Sequence, residues 1–421
     1  MMTMKMMDKD FYDVAVIGAG AAGLAAAAET STAGFNTLVI DRQDRAGGIL
    51  RQCIHNGFGL HCFKEELTGP EYAERAAEKA VAAGAEFALC STVTDLKKLE
   101  NGTFELILRS RKYGTKTITA KTVILAMGCR ERNRGNLGIP GTRPAGVFTA
   151  GAAQKLLNCE GFLPGTSAVI VGSGDIGLIM ARRLQWCGIK VKAVVEIMPH
   201  PSGLTRNIVQ CLHDFNIPLY LSHSVTRICG KDRVEGVDVA PLSDPEKSFH
   251  IDCDTVLFST GLIPEMELGK MIGVEIDPST GGAKVNANYE TSVPGVFSAG
   301  NVLHVHDLVD FVSEESVRMA KKVIRHLNGE KDGETVKVCV NEKLKYAVPS
   351  AFFPGRDTVF AFRPLVVTNN GTLTAEQDGK VIWKKKIPFV RPAEMICFEL
   401  KGDLINGKGD LTFRLEEGEK A

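Results

Sequence analysis

This sequence predicts two α/β units, one inserted into the other, followed by a small all-β region. Three observations carry the prediction. A run of strand, glycine turn, helix and strand occurs twice. After the second copy the chain returns to a further apolar strand and glycine turn, TSVPGVFSAGN at 291–301. From about residue 337 helical periodicity gives way to short β-prone runs separated by turn pairs.

The first copy is DVAVIGAGAAGLAAAAET, Asp13 to Thr30, followed by NTLVID ending at Asp41. The second is SAVIVGSGDIGLIMARRL, Ser167 to Leu184, followed by IKVKAVVE ending at Glu196. Each copy leads to two β-rich runs and a short apolar strand ending in glycine. These are TFELILR, TKTITA and TVILAMG in the first, and VEGVDVA, KSFHIDC and TVLFSTG in the second. A repeat of whole α/β units is not a solenoid period, so two related domains are expected. A helix is predicted from about Asp307 to Leu327, with Val309, Val312, Val317, Ala320, Val323, Ile324 and Leu327 mostly on one face and Asn328-Gly329 as its stop. Asn370-Gly371 and Asp378-Gly379 are hairpin signals. The expected bounds are 9–145 with 263–335 for the outer domain, 146–262 for the inserted one and 336–421 for the β region.

Composition narrows the class. The 421 residues carry 50 basic and 50 acidic side chains, without the basic excess of a nucleic-acid binder. The 43 glycines, spread among Ala, Val and Ile, suit tight strand-to-helix turns. Eleven cysteines include no C-x-x-C pair, which fits neither a structural zinc site nor a dithiol of that kind, and the odd count fits a secreted disulfide framework poorly. No cluster of four cysteines would hold an iron–sulfur centre, so no metal is expected. MMTMKMMDKDF lacks the apolar core of a signal peptide. The nearest uncharged apolar stretch, Val14 to Ala28, has 15 residues, short of the roughly 20 a membrane span needs. A cytoplasmic protein is expected.

The glycines carry the first chemistry. Gly18, Gly20 and Gly23 form G-x-G-x-x-G between a strand and a helix, and Asp41 closes the next strand. The first glycine makes the tight turn, the second admits a pyrophosphate to the backbone N–H groups, and the third lets the helix lie on the sheet. Asp41 is placed to accept from ribose hydroxyls. Gly172, Gly174 and Gly177 with Glu196 repeat the arrangement. A carboxylate at 196 accepts from a free 2′-hydroxyl and repels a 2′-phosphate, and Ile197, Met198, Pro199 and His200 supply no arginine. NAD(H) is therefore expected over NADP(H).

With two such sites in one chain, the sequence resembles the two-dinucleotide-binding-domain flavoproteins of the pyridine nucleotide–disulfide oxidoreductase superfamily over residues 11–335. Further marks are Gly47-Gly48, Ala126-Met127-Gly128, Ile139-Pro140-Gly141, Thr260-Gly261 and the 291–301 motif. That motif ends Gly300-Asn301 where the family usually has Gly-Asp; Asn keeps hydrogen-bonding capacity and loses the charge. The resemblance implies that FAD is held by Gly18, Gly20, Gly23, Asp41, Gly47, Gly48, Ala126, Gly128, Gly300 and Asn301. It implies a nicotinamide dinucleotide on Gly172, Gly174, Gly177, Glu196 and Gly261. GGILRQCIHNGFGLH and VFSAGNVLHVHDLVDFVSEE are most similar to bacterial flavoprotein subunits that accompany glycerol-3-phosphate dehydrogenases. Hydrogen cyanide synthase and opine oxidase flavin subunits resemble the chain more distantly.

The usual dithiols of the superfamily are missing. Cys53 follows the double glycine alone, with Cys62 nine residues on, and the last histidine is His326. Cys53 is a candidate for a flavin adduct, a sulfenic acid or a mixed disulfide; the alternative is a small buried apolar residue. His55, His61, His304 and His306 recur in the segments expected to flank the flavin. His304 and His306 are the stronger candidates for passing a proton, against the alternative of hydrogen-bonded loop histidines. They precede a helix whose N-terminal dipole would favour negative charge on the flavin, with Asp307 as its cap. Cys129-Arg130-Glu131-Arg132-Asn133-Arg134 is read as a solvated linker rather than an anion site, and Lys384-Lys385-Lys386 as an exposed strand end. The expected function is hydride exchange between NAD(H) and FAD, with electrons leaving to a partner protein or small acceptor. That suits a subunit of a glycerol-3-phosphate or amine-type dehydrogenase system in a homo- or hetero-oligomer. The alternatives are a self-contained NADH oxidase, peroxidase or low-molecular-weight disulfide reductase using Cys53, and a non-catalytic redox sensor or scaffold.

Overall fold

The structure, a computed structural model, describes residues 4–418. The first three residues of the N-terminal segment and the last three of the β region lie outside them. The chain opens with β1 (Lys5–Met6), β2 (Phe11–Ile17), α1 (Ala21–Thr32), β3 (Thr37–Ile40), α2 (Gly69–Ala82), β4 (Glu86–Ala88), β5 (Ser91–Lys98), β6 (Phe104–Ser110) and β7 (Gly114–Leu125). Val14 to Ile17 pair in parallel with Thr37 to Ile40 and are buried from end to end, the pattern of strands covered on both faces. The runs TKTITA and TVIL, expected as separate elements, are one strand. The first half of β7 pairs antiparallel with β6, and its second half runs parallel to β2.

Residues 130–263 form a compact unit of their own, and those up to 129 pack with those from 264 onward in another. The inserted unit contains β8 (Val147–Thr149), α3 (Ala150–Cys159), β9 (Ser167–Val171), α4 (Asp175–Trp186), β10 (Lys190–Glu196), β11 (Leu219–Leu221), β12 (His223–Gly230), β13 (Val234–Pro241), β14 (Phe249–Asp252) and β15 (Thr255–Phe258). Its parallel sheet has the order β8-β15-β9-β10-β11, and β12-β13-β14 form a separate antiparallel sheet. One face of the parallel sheet packs on Leu178, Ala181 and Leu184 of α4. The other packs on Ile228, Val237 and Val239 of the antiparallel sheet.

The chain rejoins the first sheet at β16 (Val296–Ser298), parallel to the end of β7, and α5 (Val309–Leu327) packs against α1. The first sheet thus has the order β1-β4-β3-β2-β7-β6-β5 with β16 added to β7. The remaining strands, from Val336–Val340 to Leu411–Glu416, make a five-stranded and a three-stranded sheet. Their shared core centres on Phe352, Phe360, Phe362 and Phe413, with the Phe362 and Phe413 rings 4.7 Å apart.

Asp378-Gly379 is the hairpin turn expected, with φ of 51° and 73°. Asn370-Gly371 is not a turn. Asn370 is left-handed (φ 62°) inside the strand Thr368–Gln377, and pairing passes from Asn369↔Phe389 to Gly371↔Ile387. The residue opposite is Pro388, which has no N–H to offer the ladder, so the pairing is interrupted for one residue and resumes in the same register instead of reversing. Lys384 to Lys386 are exposed within an edge strand, Lys380–Val390, where charge opposes strand-to-strand association. Among the described residues no helix is long and apolar enough to cross a membrane.

Candidate active site

Gly18 has φ +109°, and a Cβ there would lie 2.3 Å from the Ala126 carbonyl oxygen. At Gly23 a Cβ would lie 1.8 Å from Gly18 O, so helix and turn touch only because that side chain is absent. Gly20 differs: nothing lies within 4 Å of its Cβ position, and it precedes α1 without a side-chain cap. The first N–H groups of α1 therefore face open space, which is what a pyrophosphate requires. Asp41 accepts from Ala19 N at 2.7 Å and Gln43 N at 2.8 Å. It braces the turn and retains lone pairs for a ribose.

The other expected residues gather round the same turn. Gly47 N donates to Ala19 O at 2.7 Å, and the Cβ position of Gly48 is 3.1 Å from Gly20 Cα. Gly128 is left-handed (φ +72°) beside open space. A Cβ on Gly300 (φ +76°) would lie 2.8 Å from the Ala22 Cβ. Asn301 Oδ1 accepts from His306 N at 3.0 Å, which turns the amide NH₂ outward as a donor. These residues fit a flavin dinucleotide.

Cys53 ends a 3₁₀ turn, Gly48–Gln52, and is 6% exposed. Its Sγ donates to Ile49 O at 3.4 Å, and its carbonyl accepts from Gly69 N at 2.8 Å, which ties it to the start of α2. Cys62 is elsewhere engaged: its N–H donates to the buried Asp310 carboxylate at 2.8 Å, and burial pushes its thiol up to about 11. Neither cysteine is in a disulfide. His55 and His61 lie against Phe58 and Phe311, with ring centroids 4.9 and 5.3 Å apart.

His304 and His306 converge on Glu315, which sequence reasoning missed. His304 Nε2 lies 2.7 Å and His306 Nε2 3.3 Å from Glu315 Oε2, and Gly300 N donates to Oε1 at 2.8 Å. Burial alone would raise the Glu315 carboxyl, but the two imidazoles prevail and hold it well below the usual range. Burial, with His306 close by, lowers the His304 pKa. His304 Nδ1 is buried without a hydrogen-bond partner among the described residues. The signal for Glu315 was an acid in the apolar row that holds Val312, Met319 and Val323, all on the buried face of α5.

Asp307 is not the helix cap expected of it. Leu308 takes that position, and the Asp307 carboxylate accepts instead from Arg363 Nη2 at 2.7 Å and Met395 N at 2.6 Å. Arg363 Nη2 also donates to Val305 O at 2.9 Å, so the C-terminal strands hold the loop that carries both histidines.

In the inserted unit Ser259 shapes the second turn. A Cβ on Gly172 (φ +91°) would lie 2.2 Å from Ser259 O, and one on Gly177 would lie 2.7 Å from Ser259 Cβ. Ser259 Oγ accepts from Gly177 N at 3.0 Å. Gly174 again precedes its helix without a side-chain cap, and at Gly261 (φ +97°) a Cβ would meet only the Arg132 Cδ, at 4.0 Å. Glu196 is buried. Its Oε2 accepts from Ser173 N at 2.9 Å and from the Ser173 and Ser202 hydroxyls at 2.5 and 2.9 Å, and Oε1 accepts from Met198 N at 2.9 Å. Arg134, counted in the linker, folds back on its own loop and donates to Ile139 O at 3.1 Å and Pro140 O at 2.9 Å.

A mixed and a parallel sheet, each with a glycine turn and an uncapped helix start, fit two dinucleotides. The chain belongs to the pyridine nucleotide-disulphide oxidoreductase family, whose model matches residues 12–326, and is an FAD-dependent NAD(P)H oxidoreductase. It is 29% identical to the thioredoxin reductase of Treponema pallidum over 69% of this chain and 89% of that one. It is 28% identical to an opine oxidase subunit of Agrobacterium tumefaciens over 63% of this chain, but spans only 56% of that relative. The hydrogen cyanide synthase subunit HcnB of Pseudomonas protegens is 27% identical over 68% of this chain and 65% of its own length. The solved thioredoxin reductase of T. acidophilum superposes with a TM-score of 0.65 at 26% identity, covering 76% of this chain and 99% of that one.

Proposed function

We propose that this protein is a single-chain NAD(P)H-dependent reductase of a small disulfide, with Cys53 as the thiol that meets the substrate. The observation that carries this reading is the seat of Cys53, at the end of a turn whose first glycine packs on Gly20 of the flavin-fitting loop. Similarity to thioredoxin reductases over nearly their full length supports it. The relatives that are subunits are matched over little more than half to two thirds of theirs. A thiol 6% exposed suits a compact disulfide better than a protein one.

Bound FAD takes two electrons from NAD(P)H and releases them singly or in pairs. At Cys53 a thiolate attacks one sulfur of the disulfide, the S–S bond breaks, one thiol leaves and a mixed disulfide forms. Two electrons and a proton then release the second thiol, so NAD(P)H, a proton and the disulfide yield NAD(P)⁺ and two thiols. His304 and His306, held by Glu315, are the groups we assign to proton delivery. We assign FAD to 9–145 with 263–335 and the nicotinamide dinucleotide to 146–262. NADH is the favoured donor, because a buried carboxylate at 196 repels a 2′-phosphate.

The test is anaerobic turnover of Cys53→Ser. This variant should still be reduced by NAD(P)H and should lose disulfide turnover by roughly 100-fold or more. Unchanged turnover overturns the Cys53 reading. A second reading is delivery of electrons to a partner dehydrogenase of the glycerol-3-phosphate or amine type. Its support is the similarity to the two subunits and the edge strand Lys380–Val390, with Phe389 66% exposed, beyond the region that the family model matches. Flavin reduction without turnover of disulfide, peroxide or oxygen, restored by such a partner, selects it.

A further inference from the structure

We infer that the antiparallel sheet β12-β13-β14 carries a site for a zinc-type divalent cation, built from Cys229, His250 and Asp252, with Asp238 behind the imidazole. The inference is independent of the disulfide-reductase reading. The four side chains share one face of three adjacent strands. Asp238 pairs with His250, and Gly236 pairs with Cys229 on one side and Asp252 on the other. The opposite face is the apolar one, with Ile228, Val237 and Val239 in the core.

Gly236 makes the arrangement possible. A Cβ there would lie 2.2 Å from His250 Nε2, so the imidazole lies across the bare backbone, between Cys229 and Asp252. Asp238 Oδ1 lies 2.6 Å from His250 Nδ1. A carboxylate on one ring nitrogen fixes the tautomer and leaves the other nitrogen as a ligand, the usual outer support of a zinc-bound histidine. His250 Nε2 is 3.6 Å from Asp252 Oδ1, and Cys229 Sγ is 3.8 Å from Asp238 Oδ2. One ligand atom each from Cys229, Asp238 and His250 lie within 4.8 Å of one another. Tetrahedral zinc with bonds of about 2.0–2.3 Å sets its ligand atoms roughly 3.3–3.8 Å apart. The His250–Asp252 contact already falls in that range, and Cys229 lies across Gly236 from Asp252 on the same face.

The metal would replace the Cys229 thiol proton, so one H⁺ leaves as the S–metal bond forms. The sulfur and imidazole donors favour zinc over magnesium or calcium.

The experiment uses the full flavin-loaded chain, freed of metal by a chelator. Co²⁺ is titrated and followed by its d–d bands, which lie to the red of oxidised flavin. Zn²⁺ is titrated calorimetrically in buffers of different ionisation enthalpy. The expected result is one equivalent bound at a Kd on the order of micromolar or tighter, with release of one proton and the intense bands of a thiolate-bound tetrahedral cobalt. Cys229→Ser and His250→Ala should each weaken binding at least tenfold. Gly236→Ala, which removes no ligand but puts a Cβ where the imidazole lies, should weaken it roughly tenfold, because the overpacked contact displaces His250. The flavin spectrum reports that each variant is folded. Failure of the wild-type chain to take up Co²⁺ below millimolar concentration, or binding unchanged in both Cys229→Ser and His250→Ala, overturns the inference.

Discussion

Glu315 accepts from Gly300 N and lies within ion-pair distance of two imidazoles, all inside the first unit. A carboxyl held below its ordinary pKa stabilises the fold above that ordinary value, and the contribution is lost as pH falls toward the folded value. His304, with its pKa lowered, acts in the same direction, because below about pH 6.5 the unfolded chain binds a proton that the folded one refuses. The melting temperature should therefore fall as the solution is acidified from about pH 7 to pH 5. Glu315→Gln should lower it at neutral pH and leave the slope at least as steep, because His304 loses the neighbour that raises its pKa, as thermal unfolding across that range would register. At Glu196, substitution by Gln removes the charge but keeps a hydrogen-bonding side chain, so the proposed preference for NADH over NADPH should shrink about tenfold in reduction rate. An unchanged ratio would move selectivity elsewhere. Asp41 and Glu196 were legible in the sequence because each ends the strand after a glycine turn. Ser259 was not, because its partner Gly177 is 82 residues away and only the fold brings them together, whereas Glu315 left only the faint signal of an acid in the apolar row of α5.

The elements divide the glycines by purpose. At Gly20 a Cβ enters open space in front of α1, whereas at Gly23 it meets the Gly18 carbonyl. Gly20→Ala should leave the fold intact and weaken FAD binding at least tenfold, as flavin fluorescence on dilution would show. Gly23→Ala should also cost stability, by roughly 1–3 kcal/mol, because an overpacked backbone contact has to give way. Equal stability loss in both would contradict this division. Arg363 joins the C-terminal strands to the 304–307 loop through Val305 O and Asp307. Arg363→Met should slow flavin reduction and loosen FAD while leaving the strands folded, which near- and far-ultraviolet circular dichroism can separate. The hydrophobic pattern announced β2, β3, β9 and β10 plainly. The pattern did not show that β7 is one strand serving two pairings, since nothing local to TKTITA or TVIL records which neighbour lies beside it. The interruption at Asn370 was hidden for the same reason: Pro388, opposite it, lies on the partner strand.

For the molecule as a whole, the repeated glycine turns made the α/β class and its two cofactors legible, and the family match over residues 12–326 agrees. The electron acceptor was less legible. The motif that would declare it in thioredoxin-type relatives, a C-x-x-C pair, is missing from a chain otherwise similar to them over nearly all of their length. What remains is one cysteine at the flavin-fitting loop and a β region beyond the family match. Electrons from NAD(P)H would thus reach a flavin held on the Gly18–Gly23 turn and leave through Cys53. Anaerobic stopped-flow mixing of the flavin-loaded chain with NADH, then with a low-molecular-weight disulfide, tests this route most directly. The predicted result is rapid bleaching of the flavin near roughly 450 nm, recovery on adding the disulfide, and loss of recovery alone in Cys53→Ser. Bound flavin that neither NADH nor NADPH bleaches would contradict it.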